Sequence, residues 1–261
     1  MTVAELVALL DGVAPLDLAE GWDNVGLLVG RAGRQVELAL AALELRAEVM
    51  EQAIDGGAHA IVVHHPPLFP AVSRITDEST LGTLLLDAAR ADIALIALHT
   101  NLDSAAGGLN DIAADLLGIG SPEPLVPADD PAVGMGRVGD VDPTRLGAFA
   151  GRVADVIPGP VTVAGPTDAP VVRVAVCTGS GGSLIDAARA AGADVYVTGD
   201  LKHHDHDRAE GMALIDTSHA QLEQLTMRRW FEGIAPRLAE AGVLARFSDI
   251  DTDPWRPATA R

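Results

Sequence analysis

Apolar and polar residues follow two different periods along this chain, and these periods predict helices and strands in turn. Residues 2–11 follow the helical period, and Thr2 and Glu5 form a capping box at its start. Short runs of consecutive apolar residues predict buried strands between the helices. The predicted helices are 2–11, 46–56, 80–91, 107–117, 143–156, 183–191 and 218–231, and the predicted strands are 38–43, 59–63, 93–98, 161–163, 171–176, 195–198 and 214–216. This alternation is typical of parallel βαβ units and predicts an α/β fold.

One stretch, 119–132, is rich in proline, serine, glycine and aspartate and is the best candidate for a boundary between lobes. We therefore predict a first α/β lobe at 1–120 and a second at 121–210. The remaining segment, 211–261, is predicted to add a strand and a helix that complete the fold and the site.

Two segments of the chain resemble each other. Residues 51–63 and 186–198 each consist of a predicted helix that ends in Gly-Ala, followed by a strand rich in β-branched residues. In both copies a further apolar strand comes next and ends in polar residues that include histidine. This similarity has two explanations, chance resemblance between alanine-rich βα units or a duplicated α/β lobe.

Composition excludes several classes of protein. The 261 residues are 48% hydrophobic, enough for a sizeable core, and their net charge of −19 disfavours nucleic-acid binding. The chain has a single cysteine, Cys177, which follows an apolar run and is predicted to be a buried packing residue. Since one cysteine cannot form a disulfide within the chain, the protein is expected in a reducing compartment. Neither a signal peptide nor a membrane span is predicted, so we expect a cytoplasmic protein with no membrane partner.

Polar clusters follow four of the predicted strands, at 64–65, 99–103, 200–207 and 216–223. In open parallel α/β sheets, ligands bind beyond the carboxyl ends of the strands. Most of the histidines of the chain fall in these clusters. They are His64, His65, His99, His203, His204 and His219. The sequence therefore predicts a metal-binding or catalytic site at the carboxyl ends of these strands.

Two adjacent histidines, His64 and His65, end an apolar run and precede Pro66-Pro67. Adjacent side chains of a strand point to opposite faces, so two imidazoles converge only where the strand ends and the backbone turns. The two prolines favour such an end. The histidines either serve one metal ion each or are satisfied by backbone hydrogen bonds in a loop.

Three further residues complete the candidate ligand set. Asp103 can coordinate a cation or cap the helix that starts nearby. His219 and Glu223 are four residues apart on a predicted helix, which places them on one face. His99 can be a ligand, an orienting residue or a general acid or base.

Three histidines and two carboxylates form the ligand set expected for Zn, Fe, Mn, Co or Ni. We therefore predict two divalent metal ions per chain, held by His64, His65, Asp103, His219 and Glu223. Two such ions lower the pKa of a water and stabilise the attacking and leaving oxygens of a displacement.

The segment 199–205 is the densest polar cluster of the chain. Lys202 can neutralise a small anionic substrate such as a phosphate, and His203 and His204 can donate protons or bind anions. The alternative is that this segment is a solvated loop.

Five motifs, in order along the chain, resemble one known family. They are Trp22-Asp23-Asn24-Val25-Gly26-Leu27, His64-His65-Pro66, His99-Thr100-Asn101-Leu102-Asp103, Gly199-Asp200-Leu201-Lys202-His203-His204, and His219 with Glu223. The family is that of the Ngg-one-interacting-factor-three (Nif-three) proteins, the dinuclear-metal-centre hexamers labelled GTP cyclohydrolase 1 type 2 homologues. One segment departs from its pattern, because relatives often have an Asp and a Thr where this chain has Glu44 and Arg46.

The resemblance implies two interlinked α/β lobes of related fold, with mostly parallel strands flanked by helices. It also implies a toroidal homo-hexamer with metal sites facing an internal cavity. The family's ligands fall on the five residues already nominated. Trp22, Asp23 and Asn24 would line the same cavity and bind substrate.

Two functions remain open. The first is a metal-dependent hydrolase of a nucleotide or another small anionic substrate, with His99, His203 or His204 as acid or base and Lys202 holding charge. The alternative is a non-catalytic metal-binding scaffold or interaction hexamer.

Overall fold

The computed structural model describes residues 1–255, and within them the chain divides into two compact units. The first unit contains Met1–Ala105 and Met227–Thr252, and the second contains Ala106–Thr226 and, among the described residues, 253–255. The chain thus leaves the first unit and later returns to it. The boundaries predicted from the sequence were 120 and 210, and the structure places the crossings after Ala105 and Thr226.

In the first unit, a sheet of mostly parallel strands is flanked by helices. The strands are β1 (Gly26–Val29), β2 (Leu38–Glu44), β3 (Ala60–His65), β4 (Ala94–Ala97) and β11 (Leu244–Phe247). Their order across the sheet is β1-β4-β3-β2-β11, and β1 is antiparallel to β4 while the other neighbours are parallel. The helices are α1 (Val3–Asp11), α2 (Ala47–Asp55), α3 (Thr80–Arg90) and α4 (Thr100–Ser104).

In the second unit, the sheet is mixed. The strands are β5 (Gly120–Pro127), β6 (Gly134–Arg145), β7 (Val161–Ala164), β8 (Pro170–Ser180), β9 (Val195–Gly199) and β10 (Ala213–Thr217). Their order is β5-β6-β8-β9-β10-β7, with β8, β9 and β10 parallel and the other pairings antiparallel. The helices are α5 (Leu109–Leu116), α6 (Leu146–Val156), α7 (Ile185–Ala190), α8 (Asp205–Ala209) and α9 (His219–Glu240), the last of which continues into the first unit.

The two sheets share one strand topology. In the first unit the order β1-β4-β3-β2 contains one antiparallel pairing followed by two parallel ones. In the second unit the order β7-β10-β9-β8 repeats this arrangement with strands taken in the same sequence along the chain. The shared order favours a duplicated lobe over chance similarity and agrees with the predicted α/β fold class.

The sheet of the second unit is covered on both faces, as the strand period requires. Val195 and Val197 of β9 belong to an apolar cluster that includes Phe149 of α6. Tyr196, between them, belongs to the opposite cluster with Ile185 of α7. Cys177 is buried in this second cluster, which confirms it as a packing residue.

Several elements differ from the sequence-based prediction. The proline-rich stretch predicted as a boundary contains the strand β5, which tolerates prolines because it is an edge strand with one neighbour, β6. The helix predicted from residue 143 begins at Leu146, since β6 continues to Arg145. Strands β1, β6 and β11 and the short helices α4 and α8 were not predicted. Among residues 1–255, no helix is long and apolar enough to cross a membrane.

Candidate metal centre

Three imidazoles meet at the carboxyl ends of two neighbouring strands in the first unit. His64 and His65 end β3, and His99 follows the parallel neighbour β4. The ring centroids lie 5.2 Å apart for His64 and His65, and 5.1 Å apart for His64 and His99. One potential ligand nitrogen from each of the three lies within 4.8 Å of the others. We call His64, His65 and His99 the histidine cluster, and it could hold a metal ion.

His64 is held in one tautomer by the backbone. Its Nδ1 lies 2.8 Å from the carbonyl oxygen of Leu98, and a carbonyl can only accept, so Nδ1 carries the proton. The lone pair is then on Nε2, which lies 3.8 Å from Oδ2 of Asp103. His64 is fully buried. Because α4 begins directly after His99, one turn of helix brings Asp103 to the same place.

His99 is held in the same way by a carboxylate. Its Nδ1 lies 2.9 Å from Oδ1 of Asp23, whose Oδ2 accepts hydrogen bonds from the backbone N and Oγ1 of Thr100, at 3.0 and 2.5 Å. Burial alone would raise the pKa of Asp23, but the hydrogen bonds from His99 and Thr100 outweigh it and keep this pKa well below its usual range. The ionised carboxylate favours a proton on Nδ1 of His99 and leaves Nε2 as the acceptor.

His65 lies beside a carboxylate that the sequence analysis did not nominate. The parallel register of β2 and β3 pairs Glu44 with His65, and Oε2 of Glu44 lies 3.9 Å from Nδ1 of His65. Burial would raise the pKa of Glu44, but the contacts with His65 and Arg46 outweigh it and lower this pKa. The signal for Glu44 in the sequence was its place directly after the predicted strand 38–43.

The Trp22-Asp23-Asn24 motif, predicted to bind substrate, borders the histidine cluster. Asp23 is directed towards His99, and Nδ2 of Asn24 donates to the carbonyl of Leu68 at 2.7 Å. Trp22 is exposed, and its ring centroid lies 6.2 Å from that of His99. Of the three residues, Trp22 is therefore the most exposed, while Asp23 and Asn24 are partly buried.

In the second unit, His219 and Glu223 form the predicted pair on one face of α9. Nε2 of His219 lies 2.9 Å from Oε2 of Glu223, and Nδ1 lies 2.7 Å from Oδ2 of Asp200. An imidazole flanked by two carboxylates must either carry a proton on both nitrogens or share a cation with one of them. Because Asp200 can accept a hydrogen bond from a protonated Nδ1, Nε2 of His219 and the carboxylate of Glu223 can serve as ligand atoms for a divalent metal ion.

Two glycines make room for this pair. Gly179 has a φ of +71°, and a β-carbon there would lie too close to Oε1 of Glu223. A β-carbon at Gly199 would stand 2.9 Å from Cα of His219. Neither glycine was predicted as a site residue from the sequence, although Gly199 opens the polar segment 199–205.

The remaining predicted residues lie in an exposed segment of the second unit. Lys202 and His203 line a cavity of about 350 Å³ together with His206 and Asp216. Burial raises the pKa of Asp216, and the nearby charge of Asp200 adds to this effect. His204 is directed outwards, with its Nδ1 3.5 Å from Oδ2 of Asp207. The substrate and catalytic roles of Lys202, His203 and His204 stay predictions.

Comparison with known proteins identifies the family. The family model described as Duf34/NIF3 (NGG1p interacting factor 3) matches residues 1–254. The chain belongs to the Duf34/NIF3 family. This confirms the resemblance to the Nif-three proteins.

Individual members of the Duf34/NIF3 family cover almost the whole chain. The GTP cyclohydrolase 1 type 2 homolog of Streptomyces coelicolor is 34% identical, over 97% of this chain and 93% of its own. The protein of the same name from Clostridium perfringens is 32% identical, over 91% of this chain and 93% of its own. The crystal structure of a Bacillus cereus protein related to NIF3 has the same fold, with a TM-score of 0.92, 24% identity and coverage of 99% of both chains.

Proposed function

We propose that this Duf34/NIF3 protein binds two divalent metal ions and hydrolyses a nucleotide or another small anionic substrate. The observation that carries the proposal is the convergence of two proposed ligands, His64 and His65, with the proposed base His99, since one ring nitrogen of each lies within 4.8 Å of the others. The relatives named GTP cyclohydrolase 1 type 2 homolog support a hydrolytic reaction on a nucleotide.

The proposed ligands are His64, His65 and Asp103 in the first unit and His219 and Glu223 in the second. Imidazole and carboxylate donors of this kind suit Zn, Fe, Mn, Co or Ni. When bound, such ions supply Lewis acidity and a water of lowered pKa.

The residues around the ligands set the protonation states that the reaction needs. The carbonyl of Leu98 and the carboxylate of Asp23 keep the protons of His64 and His99 on Nδ1. Nε2 of His99 is then free of that proton and can accept one during the reaction. Lys202 offers a positive charge to an anionic substrate, and His203 and His204 can return a proton to a leaving group.

The experiment combines metal analysis with a turnover screen. The purified protein is loaded with each metal and its bound metal is quantified. It is then assayed for product formation against a panel of nucleotides and phosphoesters. We expect turnover of at least one compound by the wild type and its loss in Asp103→Ala. The control is Asp115→Ala, which removes an exposed carboxylate from α5.

Two outcomes would contradict the proposal. One is equal turnover by Asp103→Ala and the wild type, and the other is metal binding with no turnover of any compound. The second outcome would favour a non-catalytic metal-binding scaffold or interaction hexamer. Light scattering of the same sample measures the oligomer, for which we propose a homo-hexamer.

A further inference from the structure

Two aromatic side chains are exposed side by side in the first unit. Aromatic residues make up only 3% of this chain, and several of the largest, such as Tyr196 and Phe231, are buried. Trp22 and Phe69, in contrast, are 58% and 48% exposed. Their ring centroids lie 5.7 Å apart at an interplanar angle of 57°. We call Trp22 and Phe69 the aromatic pair.

The aromatic pair borders the histidine cluster. The Trp22 ring meets the ring of His99 edge to face, with a centroid distance of 6.2 Å and an interplanar angle of 75°. The ring of His99 in turn lies 5.1 Å from that of His64. A molecule whose reacting group reaches the histidine cluster therefore has the aromatic pair within the length of a nucleotide.

Hydrogen bonds hold the two chain segments that carry Trp22 and Phe69. Asp23, next to Trp22, accepts from His99 and Thr100, and Asn24 donates to the carbonyl of Leu68, the residue before Phe69. The side chain of Leu68 packs against the core of the first unit. A preformed surface loses little conformational entropy when a ligand binds to it.

The chemistry of the aromatic pair indicates what it contacts. Exposing two large apolar side chains together forgoes the free energy that their burial would give. Aromatic faces are the surfaces on which the bases of nucleic acids and nucleotides stack in a sequence-tolerant way. A simple phosphate ester or a metal ion alone would leave this surface uncovered.

We propose that Trp22 and Phe69 stack against a planar heteroaromatic ring of the substrate, such as a purine, and so select nucleotides over simple phosphate esters. This inference rests on the proposed function, since it assigns a substrate class to the same centre. In the Trp22-Asp23-Asn24 motif, Trp22 then contacts the substrate, while Asp23 and Asn24 hold the neighbouring chain segments through hydrogen bonds.

The test measures binding by calorimetry with two probes, GMP and ribose 5-phosphate, on the full-length protein with quantified metal. We expect Trp22→Ala to weaken GMP binding about tenfold or more, as the loss of one base-stacking contact does. Trp22→Phe keeps a ring and should retain most of the affinity. Ribose 5-phosphate should bind the wild type and Trp22→Ala equally.

The matched control is Trp255→Ala, which removes another tryptophan that is 83% exposed. This variant should bind GMP as the wild type does. Circular dichroism and bound metal, unchanged in Trp22→Ala, show that the fold and the ligands are intact.

Several results would overturn the inference. One is the absence of saturable GMP binding by the wild type, and another is unchanged GMP affinity in Trp22→Ala. The third is an equal fall in the affinities of Trp22→Ala for GMP and for ribose 5-phosphate. Failure of the proposed function gives a different result. In that case the protein turns over no compound of the panel, but it still binds GMP with an affinity that depends on Trp22.

Discussion

Oδ2 of Asp200 lies 2.7 Å from Nδ1 of His219, on the opposite side of the ring from Glu223. Asp23 stands in the same relation to His99, at 2.9 Å. In metal sites, an acceptor behind the imidazole fixes the tautomer and raises the basicity of the ligating nitrogen. Removing the carboxylate should therefore weaken metal binding without removing a ligand.

Asp200→Asn tests this relationship with little change in shape. Asp200 has a φ of +58°, which asparagine also tolerates, so the variant loses the charge and keeps the backbone. We expect the affinity for metal to fall about 10–100-fold, measured by competition with a chromogenic chelator. The control is Glu210→Asn, at an exposed residue with a φ of +43°. Equal affinities of Asp200→Asn and the wild type would refute this role.

Asp23→Asn tests the corresponding pair in the first unit. The asparagine amide no longer favours a proton on Nδ1 of His99, so the ring can adopt the other tautomer. We expect an activity loss of about 10–100-fold in whichever reaction the turnover screen identifies. Asp17→Asn, at an exposed position of the same segment, should leave the rate unchanged. A variant as active as the wild type would show that His99 does not depend on Asp23.

Gly179→Ala should disturb the carboxylate of Glu223. The new β-carbon would clash with Oε1 of Glu223, and the φ of +71° adds backbone strain. Gly192→Ala is the matched control, since Gly192 has a φ of +74° and no heavy atom within 4 Å of an added β-carbon.

Both glycine variants should lose about 1 kcal/mol of unfolding free energy to strain, measured by chemical denaturation. Only Gly179→Ala should also lose bound metal. If both variants bind metal equally, the close approach of Gly179 to Glu223 has no bearing on the site.

Asp216→Asn should stabilise the protein at neutral pH. Burial raises the pKa of Asp216 in the folded state, so its ionised form opposes folding. The penalty is absent at pH values below the unfolded pKa and grows as pH rises through the folded pKa. We expect the melting temperature at pH 7 to rise by about 1–4 °C, with no gain near pH 3. A gain that is equal at both pH values would have another cause.

The candidate site could be predicted from the sequence only as far as its motifs extend. His64 and His65 end an apolar run, and His219 and Glu223 share a helix face, so both pairs are local patterns. Glu44 and Asp200 lie 21 and 19 residues from their histidines and carry no local pattern that links them. Their roles depend on strand register and on side-chain direction, which the folded chain decides.

The sequence by itself determined most of the inner strands and the helices that cover them, because burial on a sheet or a helix gives the apolar side chains a regular period. Only the tertiary structure decided that β1, β5, β6 and β11 are strands and that Met227–Thr252 belongs to the first unit. The edge strands β1 and β11 are held by backbone hydrogen bonds to β4 and β2, which are distant in sequence, while β5 and β6 pair with each other. Such bonds use groups that every residue has, so the side chains carry little record of the pairing.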